Sequence, residues 1–96
     1  MFELLDEIED ATGVRWTLQS IDDDGGLHRS SVRLAWADYD VLCPDGAIAP
    51  SRVAEAVVTF VLGRPEFDPL PELLDAAIAR RRVAGADRLI VELLRA

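Results

Sequence analysis

Apolar residues are densest between Arg52 and Gly63, where only Arg52, Glu55 and Thr59 interrupt a run of Val, Ala, Phe and Leu. At about 100° per residue, those three polar residues share an arc of roughly 60°, and the apolar ones fill about 240°. An ordinary surface helix carries a much narrower apolar stripe. The pattern therefore predicts a central helix that needs cover on at least two sides. Pro50 suits its first turn, and Gly63 followed by Pro65 suits its end.

The flanking segments are read the same way. Over residues 2–12, Phe2, Leu5 and Ile8 recur at helical spacing with Leu4 and Ala11 beside them, and the acids between face out. That predicts an amphipathic helix closed by Gly13. At 14–21 the period falls to two: Val14, Trp16 and Leu18 alternate with Arg15, Thr17 and Gln19, the mark of a half-buried strand. Asp22-Asp23-Asp24-Gly25-Gly26 is turn chemistry. A second strand over 28–36 then points Val32, Leu34 and Trp36 inward. In the expected register Trp16 lies near Leu34, Leu18 lies near Val32, and both Trp rings share one sheet face.

Residues 36–46 fit neither period. Val41 and Cys43 continue a strand past a bulge near Asp38, or 38–42 forms one helical turn; Pro44-Asp45-Gly46 is a turn in both cases. Three prolines between residues 65 and 71 make an extended connector, with Phe67 pinning it to the core. Leu70, Leu74, Ala77, Ile78 and Arg81 predict a helix over 71–83, capped by Gly85. A last helix over 87–95 takes Asp87 as N-cap, with a strand at Leu89-Ile90-Val91 as the alternative. The expected fold class is α+β, a β-hairpin packed against helices in the order α-β-β-α-α-α. Residues 1–96 suit one small domain with one core.

Charge narrows the partners. The net charge is −8, and residues 1–50 hold eleven acids against three arginines. That balance disfavours nucleic acid, whose binding relies on a basic footprint. The central apolar run is too short to span a bilayer, which needs about 20 residues. No basic leader with an apolar core opens the chain, so no membrane role and a cytoplasmic location are expected. Cys43 is the lone cysteine and His28 the lone histidine, so neither a disulfide nor a zinc site is built from them. The acids of 22–26 lack the spacing of a calcium loop, because Gly25 comes too early and the twelfth position is Arg33. No phosphate loop is present. No cofactor or metal is expected, and the chain does not read as an enzyme.

Two places remain as candidate sites. The segment 36–46 gathers Trp36, Asp38, Tyr39, Asp40 and Asp45 in irregular structure, where binding residues often sit. Ala54, Val58 and Leu62 form the flank of the central helix left for a second copy, so a homodimer is expected. Arg80-Arg81-Arg82 complements a helix dipole, or grips the acidic half of the same or another molecule or a phosphate. The leading functional expectation is a non-enzymatic protein-interaction module, binding itself or another protein. One alternative is a ligand-binding domain or enzyme using 36–46. The other is an acidic chaperone or antitoxin-like protein that masks a basic partner.

Overall fold

The structure, a computed structural model, describes residues 2–22 and 24–95. Three strands come first: β1 (Phe2–Glu9), β2 (Gly13–Ile21) and β3 (Leu27–Ala35). Helices α1 (Trp36–Leu42) and α2 (Pro50–Leu62) follow, then a 3-10 turn (Pro65–Phe67), strand β4 (Leu73–Asp75), α3 (Ala76–Arg82) and α4 (Ala86–Arg95). The sheet order is β1-β2-β3-β4, with β1 to β3 antiparallel and β4 parallel to β3. The α+β class stands, but the order is β-β-β-α-α-β-α-α rather than α-β-β-α-α-α.

The first difference is at residues 2–12, which form β1 and not a helix. Phe2 lies opposite Ser20 and Leu4 opposite Leu18, so both turn toward the core side. The register then shifts between Leu5 and Ile8, where Asp6 takes a φ of 56°. This bulge adds residues to one strand and mimics the three-residue spacing of a helix. Ile8 lies beyond it, 63% exposed. Pairing with β2 outweighs local periodicity, as tertiary context often does. Gly13 is not a helix cap either. A Cβ there would lie 2.5 Å from the Leu34 carbonyl oxygen and 2.8 Å from Ala35 Cα, so the close approach of β2 to β3 demands glycine.

The β2–β3 hairpin is as expected, two residues out of register. Trp16 pairs with Val32, Leu18 with Ser30 and Val14 with Leu34. Asp22 makes the turn, accepting from the backbone N–H of Asp24 (3.0 Å) and Gly26 (2.6 Å); Asp23 lies outside the described residues. Trp36 opens α1 instead of ending β3, so the two Trp rings do not share a sheet face.

The second difference is at 71–83. The chain stays extended through Leu74, which pairs with Val32 and is fully buried. The Ser31 N–H donates to the Glu72 carbonyl (2.7 Å), tying the segment to β3. Helix α3 begins only after Asp75, whose carboxylate accepts from the Ala77 N–H (2.9 Å). Pro69 and Pro71 explain the delay, because the residue before a proline avoids helical geometry. The final helix forms, and 89–91 is not a strand. Asp87 lies in its first turn rather than at the cap.

All four helices lie on one face of the sheet and share one core with Val14, Trp16, Leu18, Val32, Leu34 and Leu74. Phe67 reaches that core as expected. The wide arc of α2 is enclosed within the chain. Ala54 and Val58, expected to face a second copy, are 1% and 0% exposed, while Leu62 alone of that flank is 46% exposed. The helices after the connector close the flank, α4 packing most extensively on α2. Among the described residues no helix is long and apolar enough to cross a membrane. Val58→Glu is therefore expected to unfold the chain rather than release a folded monomer. An unpaired buried carboxylate costs several kcal/mol against a total stability of about 5–15 kcal/mol. Circular dichroism melting alongside size exclusion with light scattering checks it.

Candidate functional site

The five candidate residues of 36–46 do not all meet: Trp36 touches Tyr39, Asp40 and Asp45 act on Tyr39 through their charge, and Asp38 turns inward to another partner. Trp36 packs edge-to-face on Tyr39, ring centroids 5.9 Å apart, and its Nε1 donates to the Asp10 carbonyl oxygen (3.4 Å). The Tyr39 hydroxyl donates to the Ile48 carbonyl oxygen. These contacts fasten α1 to the β1–β2 turn and to the loop before α2. Asp45 makes the turn, accepting from the Ala47 N–H (3.1 Å) and the Cys43 thiol (3.4 Å), which hold its carboxyl below the usual carboxylate range. Asp40 is exposed, and burial foremost, then Cys43 and the charges of Asp45 and Asp40, push the Tyr39 hydroxyl above its ordinary value. Asp38 turns inward and is only 4% exposed. Among the described residues no three metal-ligating side chains come together.

Asp38 meets Arg80. The guanidinium Nη1 donates to Asp38 Oδ1 (2.6 Å), while Nε and Nη2 donate to the two carboxylate oxygens of Asp87 (2.7 and 3.1 Å). One arginine thus joins α1, α3 and α4. Its partners, Asp87 foremost, raise the guanidinium above its ordinary value, and Arg80 in turn holds the Asp87 carboxyl below its own. Of the three-arginine run, Arg80 grips an acid of the N-terminal half, and Arg82 stacks over the Phe67 ring, 5.1 Å from its centroid. Arg81 is exposed. Of the run only Arg80 is turned into the structure. The helical spacing of the sequence aligns Arg81 with Leu74, Ala77 and Ile78 instead, and the partner Asp38 lies 42 residues away from Arg80.

A further polar pair is His28 and Asp22, 2.7 Å apart and exposed. That contact, with the Gly26 N–H, lowers the Asp22 carboxyl. Ser30 shares the face of His28 and Ser31 does not. Among the described residues no serine hydroxyl bonds the imidazole. The Cys43 thiol donates to Asp45, and among the described residues no cysteine or serine is hydrogen-bonded to His28.

The opposite face of the sheet carries no helix among the described residues. The register places its side chains in rows across the strands. One row is Leu5, Thr17, Ser31 and Leu73. The next toward the β1–β2 turn is Ile8, Arg15, Arg33 and Asp75. On the other side come Glu3, Gln19 and Arg29, then Ile21 opposite Leu27. Arg15, Arg29 and Arg33 are the only three arginines of residues 1–50, and all lie on this face. The alternation along the sequence sets Arg15 and Arg33 outward on two strands and does not single out Arg29. The signal that joins them is the alternation itself, once the register is known.

On the core side of β1, a groove of about 730 Å³ runs between that strand and α2. Asp6, Glu7 and Glu55 line it, and Trp16 forms its floor, donating from Nε1 to Glu7 Oε1 (3.0 Å).

Compared with known proteins, the chain matches no family model, no curated protein and no solved structure.

Two outcomes follow from the Arg80 cluster. Arg80→Leu leaves Asp38 buried and unpaired, and urea unfolding should show a loss of about 3–5 kcal/mol. Adding Asp38→Leu should recover much of it, because the stranded charge is gone. The second outcome concerns acid. A carboxyl depressed in the folded state stabilises the fold above its unfolded value, near pH 4, and loses that contribution as pH falls through the folded value. Asp87→Asn should therefore flatten the fall in stability below about pH 4, read from unfolding midpoints across pH.

Proposed function

We propose that this protein is a non-enzymatic protein-interaction module, and that its partner surface is the uncovered sheet face rather than the segment 36–46. One observation carries the reading: Arg15 and Arg33 stand directly opposite each other on that face. Like charges in a cross-strand pair destabilise a sheet. Arg33 has partial relief, with Nη2 donating to the Thr12 hydroxyl (2.6 Å) and Nη1 lying 3.8 Å from Asp10. Arg15 has no ion pair among the described residues. Ile8 lies beside Arg15 and Leu73 one row away on β4, while Ile21 and Leu27 stand at the far end of the same face, and all four are exposed aliphatic side chains. Arginines among exposed aliphatics, with Arg15 free of any ion pair among the described residues, are the composition of a protein contact surface.

The reading moves the site away from 36–46, because four of the five candidates there are occupied by internal contacts. It also moves any self-association away from Ala54 and Val58, which are buried. A symmetric dimer through the sheet face would set arginines near arginines across its axis, so a different protein is the favoured partner. The acidic groove between β1 and α2 supports a second reading, the masking of a basic partner, with Glu55 among the residues that line it.

Site-specific photo-cross-linking in living cells separates these readings. A photoreactive residue at Thr17 should give a discrete adduct that Arg15→Glu abolishes while the variant keeps its melting temperature. Adducts only from position 55 would replace the reading with the masking one. Adducts only from position 40 would return the site to 36–46.

A further inference from the structure

We infer that the uncovered sheet face receives an acidic amphipathic helix from a partner protein, lying along β2 and β3. This rests on the interaction reading above and adds the chemistry and shape of the partner.

The charge comes first. The chain is acidic overall, at −8, yet this face concentrates arginines. Within the rows only Glu3 and Asp75 oppose them, the Asp75 carboxylate already accepting from the Ala77 N–H as the cap of α3, and beside the rows Asp10 lies 3.8 Å from Arg33. A carboxylate seated between Arg15 and Arg33 takes hydrogen bonds from both guanidiniums and removes their mutual repulsion. Nucleic acid also carries anions, but the rest of the molecule repels a long polyanion. A short acidic segment meets the arginines and stays clear of the acids elsewhere.

The shape comes second. Four strands at about 4.8 Å spacing give a face roughly 14 Å across. From the Arg15–Arg33 pair to the Ile21–Leu27 pair is six residues along the strand, about 20 Å. A helix is about 10–12 Å wide and rises 1.5 Å per residue, so roughly 13 residues fill that length. The middle row suits it: Thr17 and Ser31 are small, and Leu5 and Leu73 stand at the edges to meet an apolar stripe. Arg33 and Arg29 are four residues apart on one strand, about 14 Å. Partner carboxylates some nine helical residues apart reach both.

An added strand is the poorer occupant. The β1 edge is broken by the Asp6 bulge and carries Glu3, Asp6, Glu7 and Glu9, and the β4 edge is three residues long. Neither offers a long, flat template for strand addition. The broad face remains.

The test uses the full chain and three fluorescein-labelled probes: an 18-residue amphipathic helix of Leu, Ala and Glu, its counterpart with Lys for Glu, and a 20-nucleotide single-stranded DNA. Anisotropy should show saturable binding of the Glu peptide alone. Affinity should fall at least tenfold in Arg15→Glu and in Arg33→Gln, and fall again between 50 and 500 mM salt for the unaltered chain, as expected for an exposed ionic contact. Amide shifts in the ¹⁵N spectrum should cluster on β2 and β3. Equal or tighter binding of the Lys peptide or the DNA would overturn the inference, as would shifts confined to the groove beside Glu55. No binding by any probe, with the Thr17 adduct intact, would refute the acidic helix and leave the interaction reading standing. Loss of that adduct as well would refute both.

Discussion

Helix α2 carries apolar residues around more of its circumference than any single neighbour can cover, and the rest of the chain is arranged to cover them. The sheet supplies one wall through Val14, Trp16, Leu18, Val32 and Leu34. The C-terminal helices supply another through Ala76, Ala79, Ile90 and Leu94. Burial of this kind is the main favourable term in folding and scales with the apolar area withdrawn from water. Its demand is one-sided. Every helix is drawn to the same face of the sheet, and the other face is left to solvent or a partner. The open face is thus a by-product of how the core is closed.

Within that arrangement Arg80 does what apolar contact does not. Apolar packing tolerates small rotations of one helix against another, whereas a guanidinium bonded to two carboxylates fixes direction. Arg80 meets Asp38 and Asp87 from α3, so α1 and α4 are oriented by one side chain. A buried ion pair adds little net stability once desolvation is counted, and its value here is geometric. It also places the base of α1, on which Trp36 and Tyr39 bind back to the β1–β2 turn and to Ile48.

Much of this was legible in the sequence, and the failures have identifiable causes. The central helix, the hairpin, the Phe67 anchor and the last helix follow from periodicity, turn residues and caps. Strand β1 was hidden because its bulge turns a period of two into an apparent period of three across Leu5 and Ile8. Strand β4 was hidden because three residues are too few to show a period, and its pairing partner Val32 lies far back in the chain. Asp38 and the open-face arginines were hidden for a related reason. Their meaning depends on Arg80 and on strand register, and both are long-range facts. The aromatic and acidic residues of 36–46 attracted attention through composition, yet composition does not separate a binding loop from a helix that anchors its neighbours.

The parallel pairing of β3 with β4 has a consequence for biosynthesis. Strands β1 to β3 are contiguous in sequence, so they emerge from the ribosome first and pair locally. The strand that completes the sheet follows α1, α2 and the proline connector. The helices that cover Trp16, Leu18 and Leu34 also lie entirely downstream. Domains are made at roughly 5–20 residues per second, so the nascent meander spends some seconds with its apolar face wet. Long-range pairing forms late because its loop must close first. During that interval the acids of β1 guard the exposed edge by repelling other strands. The lopsided charge of the N-terminal half is thereby suited to the interval in which that half has no cover.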